Sequence, residues 1–215
     1  MDDIEIINKA ANEYAETFSS PTDDLLKEIE KFTLENHAHS VMLSGPLQGK
    51  FLEIISITMQ PKAVLEIGTF TGYSALCLAK GLTKNGELHT IELREEDATL
   101  ARSYFDRSLH ANQVHLHLGK ALDIIPRLDF QWDIIFIDAD KVNYINYYEL
   151  TLPHLKKDGL TIIDNVLFHG QVLKTVIKGK NATAIHAFNK HVTEDARVEQ
   201  VMITLRDGLM LVRKR

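Results

Sequence analysis

The chain has 215 residues, 45% of them hydrophobic, which is enough for one sizeable core in a single α/β domain. Its net charge of −6 gives no global pull toward nucleic acid or an anionic membrane, and no apolar run approaches the length of a bilayer span. The lone cysteine, Cys77, excludes an internal disulfide; with an acidic N-terminus lacking the basic-then-apolar order of a signal peptide, it predicts a cytoplasmic protein.

Residues 1–38 read as two helices. The first covers 2–18, with Ile4, Ile7, Ala11 and Ala15 near helical spacing, and Ser19, Ser20 and Pro21 punctuate it. Thr22 or Asp23 caps the second, in which Leu25, Leu26, Ile29 and Phe32 make one apolar stripe. These helices precede the alternating β/α pattern and are expected to form an appendage, over a site or a subunit interface, within a single domain spanning 1–215. His37 and His39 form an H-x-H pair, but two histidines alone are a weak metal signal, and a surface or loop role is expected. Gly45 and Pro46 make a turn, and a helix from Leu47 ends at Pro61.

A strand over 63–67 then runs into a glycine turn and a helix over 73–82, a Rossmann-type βα unit in which Cys77 reads as a small core residue. The spacing Glu66, Gly68, Gly72 is not the G-x-G-x-x-G of dinucleotide sites. A carboxylate before the first glycine would repel pyrophosphate. It suits a cofactor bearing an ammonium and a sulfonium, as S-adenosylmethionine does; the alternative is a glycine turn with a chance Glu. The strand over 87–91 ends at Glu92, where an acid is placed to bond both ribose hydroxyls. A helix over 94–109 and a strand over 114–118 follow. His115 and His117 fall on one face of that strand and read as ordinary sheet positions. The turn Gly119-Lys120-Ala121 can run past an adenine ring.

The stretch WDIIFIDADK, 132–141, is a short apolar run that reads as a strand buried on both faces, ending in Asp138, Asp140 and Lys141. LTIIDN, 160–165, repeats the arrangement with Asp164 and Asn165. In open parallel sheets ligands bind beyond the carboxyl ends of the strands. If the two strands are neighbours, Asp138, Asp164 and Asn165 converge. Three oxygen ligands without Cys or His suit a hard cation, Mg²⁺ or Ca²⁺ rather than Zn²⁺. An Asp after a strand also serves as a helix N-cap, but an Asp-x-Asp-Lys cluster and an Asp-Asn pair together exceed what capping needs. Tyr144, Tyr147 and Tyr148 make a stripe that reads as packing. Residues 166–180 are irregular and basic, with Lys174, Lys178 and Lys180. Asn181 or Thr183 starts a last helix through Phe188, and strands over 198–205 and 209–212 close the chain as a hairpin about Asp207-Gly208.

VLEIGTFTGYSAL, HTIE, FIDADKVNY, DNVLFHG and RDGLMLVRK, in this order, resemble the metal-dependent class I O-methyltransferases of the caffeoyl-CoA and catechol type, in their bacterial form. The resemblance covers the chain from about 40 to 215; the first helices match only in kind. It implies a Rossmann-like α/β fold with a seven-stranded, mostly parallel sheet, an antiparallel last strand and helices on both faces. By its motifs Asp138, Asp164 and Asn165 would hold a divalent cation, Mg²⁺ first, with Ca²⁺ or Mn²⁺ as alternatives. Lys141 would stand beside the reacting hydroxyl. Glu66, Gly68, Thr69 and Ser74 would line the methionine end of S-adenosylmethionine, and Glu92 would hold its ribose. Ala121 and Asp140 would lie against the adenine or elsewhere around the cofactor, which Met42 and Ser44 would close over. A homodimer is expected on the same ground.

The chain departs from the family in three places. Phe168 stands where Trp is common, and Arg206-Asp207-Gly208 replaces Gly-Asp-Gly. The long substrate insertion of the plant enzymes is not matched by 170–181, which argues against a bulky CoA ester and for a small catechol-like diol. The rival readings are a tRNA hydroxyuridine methyltransferase, for which the basic 174–180 segment would contact phosphate, and a non-catalytic cofactor- or metal-binding domain.

Overall fold

The computed structural model describes residues 6–215. Seven strands, β1 (Ala63–Ile67), β2 (Glu87–Glu92), β3 (Val114–Leu118), β4 (Trp132–Ile137), β5 (Leu155–Asp164), β6 (Val198–Ile203) and β7 (Leu209–Lys214), form one sheet in the order β3-β2-β1-β4-β5-β7-β6. The first five pair in parallel, and β7 runs antiparallel to both β5 and β6. The chain order reverses between β1 and β4, which puts the switch point of the sheet at Gly68 and Asp138.

Strands β1 and β4 are almost continuously apolar because both faces are covered. Successive side chains point to opposite faces. Leu65, Ile67, Ile135, Ile137 and Ile163 enter one core, with Tyr144, Tyr147 and Tyr148 of α7 (Tyr144–Thr151) and Ile185, Phe188 and Val192 of α8 (Lys180–Thr193). Val64, Ile134, Phe136 and Ile162 enter the other, against α2 (Asp24–Asn36), α3 (Gly45–Met59), α4 (Tyr73–Ala79) and α5 (Glu95–Phe105). Cys77 is buried in α4, as expected of a small core residue.

The first helix, α1 (Lys9–Thr17), is capped by Asn8; the earlier part of the expected helix, with Ile4, lies outside the described residues. Asp23, not Thr22, caps α2, accepting from the Leu26 amide at 2.9 Å, and its other oxygen pairs with Lys80 at 2.8 Å. The buried stripe of α2 is Leu26, Ile29 and Thr33; Phe32 is 40% exposed. Thr33 takes its place, with its hydroxyl donating to the Ile29 carbonyl and meeting the Thr71 hydroxyl at 3.2 Å. So α2 shares the sheet's core rather than lying over it.

Helix α3 begins at Gly45 with Pro46 in its first turn, where a missing N–H is tolerated, so the expected turn is the helix start. Helix α5 ends at Phe105, short of 109. Strand β5 starts at Leu155, earlier than its apolar run. Its polar Lys156-Lys157-Asp158-Gly159 segment is a bulge-like shift against β4, with Asp158 at φ 63°. His115 and His117 occupy ordinary ladder positions opposite His89 and Ile91. No helix among the described residues is long and apolar enough to cross a membrane.

Candidate active site

The carboxyl ends of β1, β2, β4 and β5 open into a cavity of about 800 Å³. Its floor is set by Gly68, at φ 100°, where a Cβ would stand 1.9 Å from the Asp138 carbonyl oxygen. Backbone bonds stitch the strand tips together: Gly68 N donates to Ile91 O at 3.0 Å and Asp138 N to Ile67 O at 2.9 Å. Thr69 and Ser74 line the cavity beside Gly68. Glu92 lines it at the tip of β2, its carboxylate accepting from the Phe70, Leu93 and Arg94 amides at 2.8, 2.9 and 2.9 Å. Ala121, at the start of α6 (Ala121–Ile124), and Asp140 form further wall, with the Tyr147 hydroxyl donating to Asp140. Met42 and Ser44 line the rim before α3.

Glu66, expected at the methionine end of the cofactor, is fully buried next to the cavity, one hydrogen bond from Ser74, which lines it. Position 66 shares the α4-facing side of β1 with Val64, so its carboxyl meets the first turn of α4 and the neighbouring strand. Ser74 donates to it at 2.7 Å, and Thr90 donates to its other oxygen. Burial, with smaller pushes from Asp138 and Glu92, raises its pKa to about 8 against the pull of those two hydroxyls. Glu66 thereby holds the hydroxyl of Ser74, which lines the cavity.

The second half of the cavity holds the acidic cluster. Register pairing of Ile137 with Ile163 sets Asp138, just past β4, beside Asp164, the last residue of β5. Lys141 Nζ lies 2.9 Å from Asp138 Oδ1 and donates to the Tyr144 hydroxyl at 2.8 Å. That hydroxyl donates to the Asp164 carbonyl at 3.1 Å. Asp164 is buried; Gln48 Nε2 donates to one carboxylate oxygen at 2.6 Å and the Asn165 amide to the other at 2.6 Å. Asn165 lines the cavity in the left-handed region, φ 59°, which Asn tolerates. Burial and then the neighbouring Asp138 charge raise the Asp164 carboxyl to about 7, despite the Gln48 bond. Burial opposes the charge on Lys141, but Asp138 and Tyr144 outweigh it and hold the amine above the usual lysine range. That is opposite to the lowered pKa of a lysine acting as a free base.

The residues fit the groups implied for them. Two carboxylates at one corner, one destabilised by burial and by the other's charge, are relieved by a cation, and an all-oxygen donor set suits Mg²⁺, Ca²⁺ or Mn²⁺. The cavity floor is backbone packed at Gly68, and Thr69, Ser74 and Glu92 set polar groups around it for a polar cofactor.

Sequence reasoning missed Gln48, Tyr144 and Tyr147 as bracing groups. Gln48 is fully buried on α3, and a polar residue on an apolar helix face was its only signal. The tyrosines pack as expected, yet the Tyr144 and Tyr147 hydroxyls also hold site residues. Arg206, noted as a departure, lines the cavity and donates to the Ser44 carbonyl, bridging the hairpin turn to the rim. Phe168 lines the cavity. His37 does not line it: His37 Nε2 lies 2.8 Å from Asp97, and His37 Nδ1 accepts from the His39 amide.

A family model described as O-methyltransferase matches residues 16–215. The chain is 32% identical over 213 residues to the probable caffeoyl-CoA O-methyltransferase 1 of Dictyostelium discoideum, covering 96% of this chain and 93% of that one. It is 36% identical over 171 residues to the catechol O-methyltransferase of Niastella koreensis, covering 78% and 77%. The O-methyltransferase of Bacillus cereus, solved in complex with SAH, superposes with a TM-score of 0.87 at 29% identity, over 96% of this chain and 97% of that one. With the sheet order, the switch-point cavity and the strand-end carboxylates in place, these matches show that the chain belongs to the O-methyltransferase family of S-adenosylmethionine-dependent enzymes.

Proposed function

We propose that this chain transfers a methyl group from S-adenosylmethionine to one hydroxyl of a catechol-like vicinal diol, with a divalent cation held by Asp138, Asp164 and Asn165. The observation that carries the reading is the meeting, in one cavity, of the Asp138–Lys141 pair and buried Asp164 with the glycine-floored pocket of Gly68, Thr69, Ser74 and Glu92. When bound, S-adenosylmethionine supplies an electrophilic methyl and the cation lowers the pKa of a chelated hydroxyl. Gln48 and the Asn165 amide fix the direction of the Asp164 carboxylate. Tyr144 and Asp138 fix Lys141. So fixed, Lys141 is placed to take the acceptor's proton or to stabilise the negative charge that develops on its oxygen. Glu92, oriented by three backbone amides, is set to bond the ribose. Holding both reactants in one geometry supplies much of the acceleration.

The chain is further read as cytoplasmic and homodimeric. Acceptor choice separates the catechol reading from the tRNA one. Lys174, Lys178 and Lys180 form no ion pair among the described residues, but three lysines on a chain of net charge −6 support nucleic-acid binding weakly. Steep salt dependence and copurifying RNA would favour the tRNA acceptor.

Two variants test the reading. Asp164→Ala, or chelator on the native protein, is expected to abolish transfer while S-adenosylmethionine binding, followed by calorimetry, is retained; turnover surviving in chelator would overturn the cation's part. Lys141→Ala is expected to lower kcat by roughly 10²- to 10⁴-fold with little change in KM. A change confined to KM would make Lys141 a binding residue.

A further inference from the structure

A second polar cluster lies toward the opposite end of β2 from the cavity. Glu87 and His89 share one face of β2, and His115 and His117 share the same face of the edge strand β3, with His115 directly opposite His89. None of the four lines the cavity. Glu87 and Glu92 lie at the two ends of the strand, about 16 Å apart at the usual rise per residue.

Glu87 Oε2 stands 3.2 Å from His89 Nε2 and 3.5 Å from His115 Nε2. The candidate donor atoms of Glu87, His89 and His115 all fall within 4.8 Å of one another. Ligand atoms around a tetrahedral Zn²⁺, each at about 2.0–2.1 Å, stand roughly 3.3 Å apart. The 3.2 and 3.5 Å separations, the first of them a hydrogen bond in the metal-free chain, are close to that edge length. His89 is 7% exposed and is backed by the Phe130 and Trp132 rings, with centroids at 4.4 and 5.7 Å. Glu87 and His115 have side chains 45% and 43% exposed, which leaves the outer side of the cluster open for entry.

The second nitrogen of His89 is also accounted for. His89 Nδ1 lies 2.9 Å from His117 Nε2. With the proton on His89 Nδ1 and donated to His117, the Nε2 lone pair faces Glu87 and His115. An outer group that fixes tautomer and ring direction in this way is the usual companion of a metal-bound imidazole.

We propose that Glu87, His89 and His115 form a binding site for Zn²⁺, or a similar borderline divalent transition metal, with His117 orienting His89 and the fourth position left to solvent. Two imidazoles and a carboxylate select for such ions, whereas the oxygen set at Asp138, Asp164 and Asn165 selects for hard cations. The two sites are thus separable by chemistry as well as by position. A metal here ties the edge strand β3 to β2 through side chains from both.

The test titrates metal-free full-length protein with Zn²⁺ against a chromogenic chelator, with Mg²⁺ saturating. Co²⁺ in place of Zn²⁺ reports geometry through its visible absorption. The native protein is expected to take up one equivalent of Zn²⁺ and to show the intense visible bands of four-coordinate Co²⁺. His115→Ala and Glu87→Gln, both half-exposed positions with folding checked by circular dichroism, are expected to lose that equivalent. His117→Ala should weaken it about 10- to 100-fold, as loss of an orienting partner does. Asp164→Ala should keep it. The proposal is overturned if the native protein cannot compete with the chelator, if His115→Ala and Glu87→Gln bind as the native chain does, or if Asp164→Ala is the variant that loses the ion.

Discussion

At Gly68 the backbone takes φ 100°, and the space a Cβ would fill lies 1.9 Å from the Asp138 carbonyl oxygen. Any side chain there must push β1 and β4 apart at the switch point. Gly68→Ala is expected to cost about 1–3 kcal/mol, the usual cost of forced overpacking, and to abolish S-adenosylmethionine binding. Thermal unfolding and calorimetric titration check this, and unchanged binding would mean the floor yields. Glu66 makes a different statement. Its pKa of about 8, raised mainly by burial, means the folded chain holds a proton there that the unfolded chain has released above about 4.5. That contribution to stability is fully present below the unfolded value and is lost as pH rises from about 4.5 through about 8. Chemical denaturation across this range should show stability falling, and Glu66→Gln, which keeps both hydrogen-bond partners while remaining neutral, should flatten the slope. An unchanged slope would assign it to other groups. Glu66 was legible as a functional acid from its place before the glycine. Its two hydroxyl partners, Ser74 and Thr90, were not, because they depend on where α4 and β2 fall in three dimensions.

Among the elements, the strands were the most legible. An apolar run such as 134–137 admits few alternatives once its length is fixed, and its abrupt end at Asp138 marked the site. Strand β5 was legible only in its buried half; Lys156 to Gly159 reads as a turn because a bulge and a turn use the same residues. Helix α2 was legible as a helix but not in its buried face. Leu26 and Ile29 are buried as read, whereas Thr33 displaces Phe32 through a hydroxyl pairing with Thr71, 38 positions away. Ile29→Ala is expected to cost about 2–5 kcal/mol as a buried large-to-small change, and Phe32→Ala well under that. Equal losses in chemical denaturation would return Phe32 to the core. Gln48 shows the same limit of sequence reading. A polar residue in an apolar helix has a partner somewhere, but nothing local names Asp164, 116 positions on.

For the whole molecule, the order β3-β2-β1-β4-β5-β7-β6 brings the ends of four parallel strands to one cavity, so residues as far apart as Ser44 and Arg206 share a rim. The fold and most of the candidate site residues could be read from the motifs together, since strand ends carry the functional groups in this architecture. The bracing contacts could not, since each joins elements distant in the chain. The Glu87, His89 and His115 cluster was hidden for the same reason: two strands contribute to it, and each histidine alone is an ordinary sheet residue. The central claim concerns the cavity and is open to one direct measurement, methyl transfer from labelled S-adenosylmethionine to a small catechol such as caffeic acid, with Mg²⁺ and then with EDTA. The account expects label in the catechol ether with Mg²⁺ and its loss in EDTA. Transfer that persists in EDTA would contradict the cation's role, and no transfer by a protein that still binds S-adenosylmethionine would contradict the catechol acceptor.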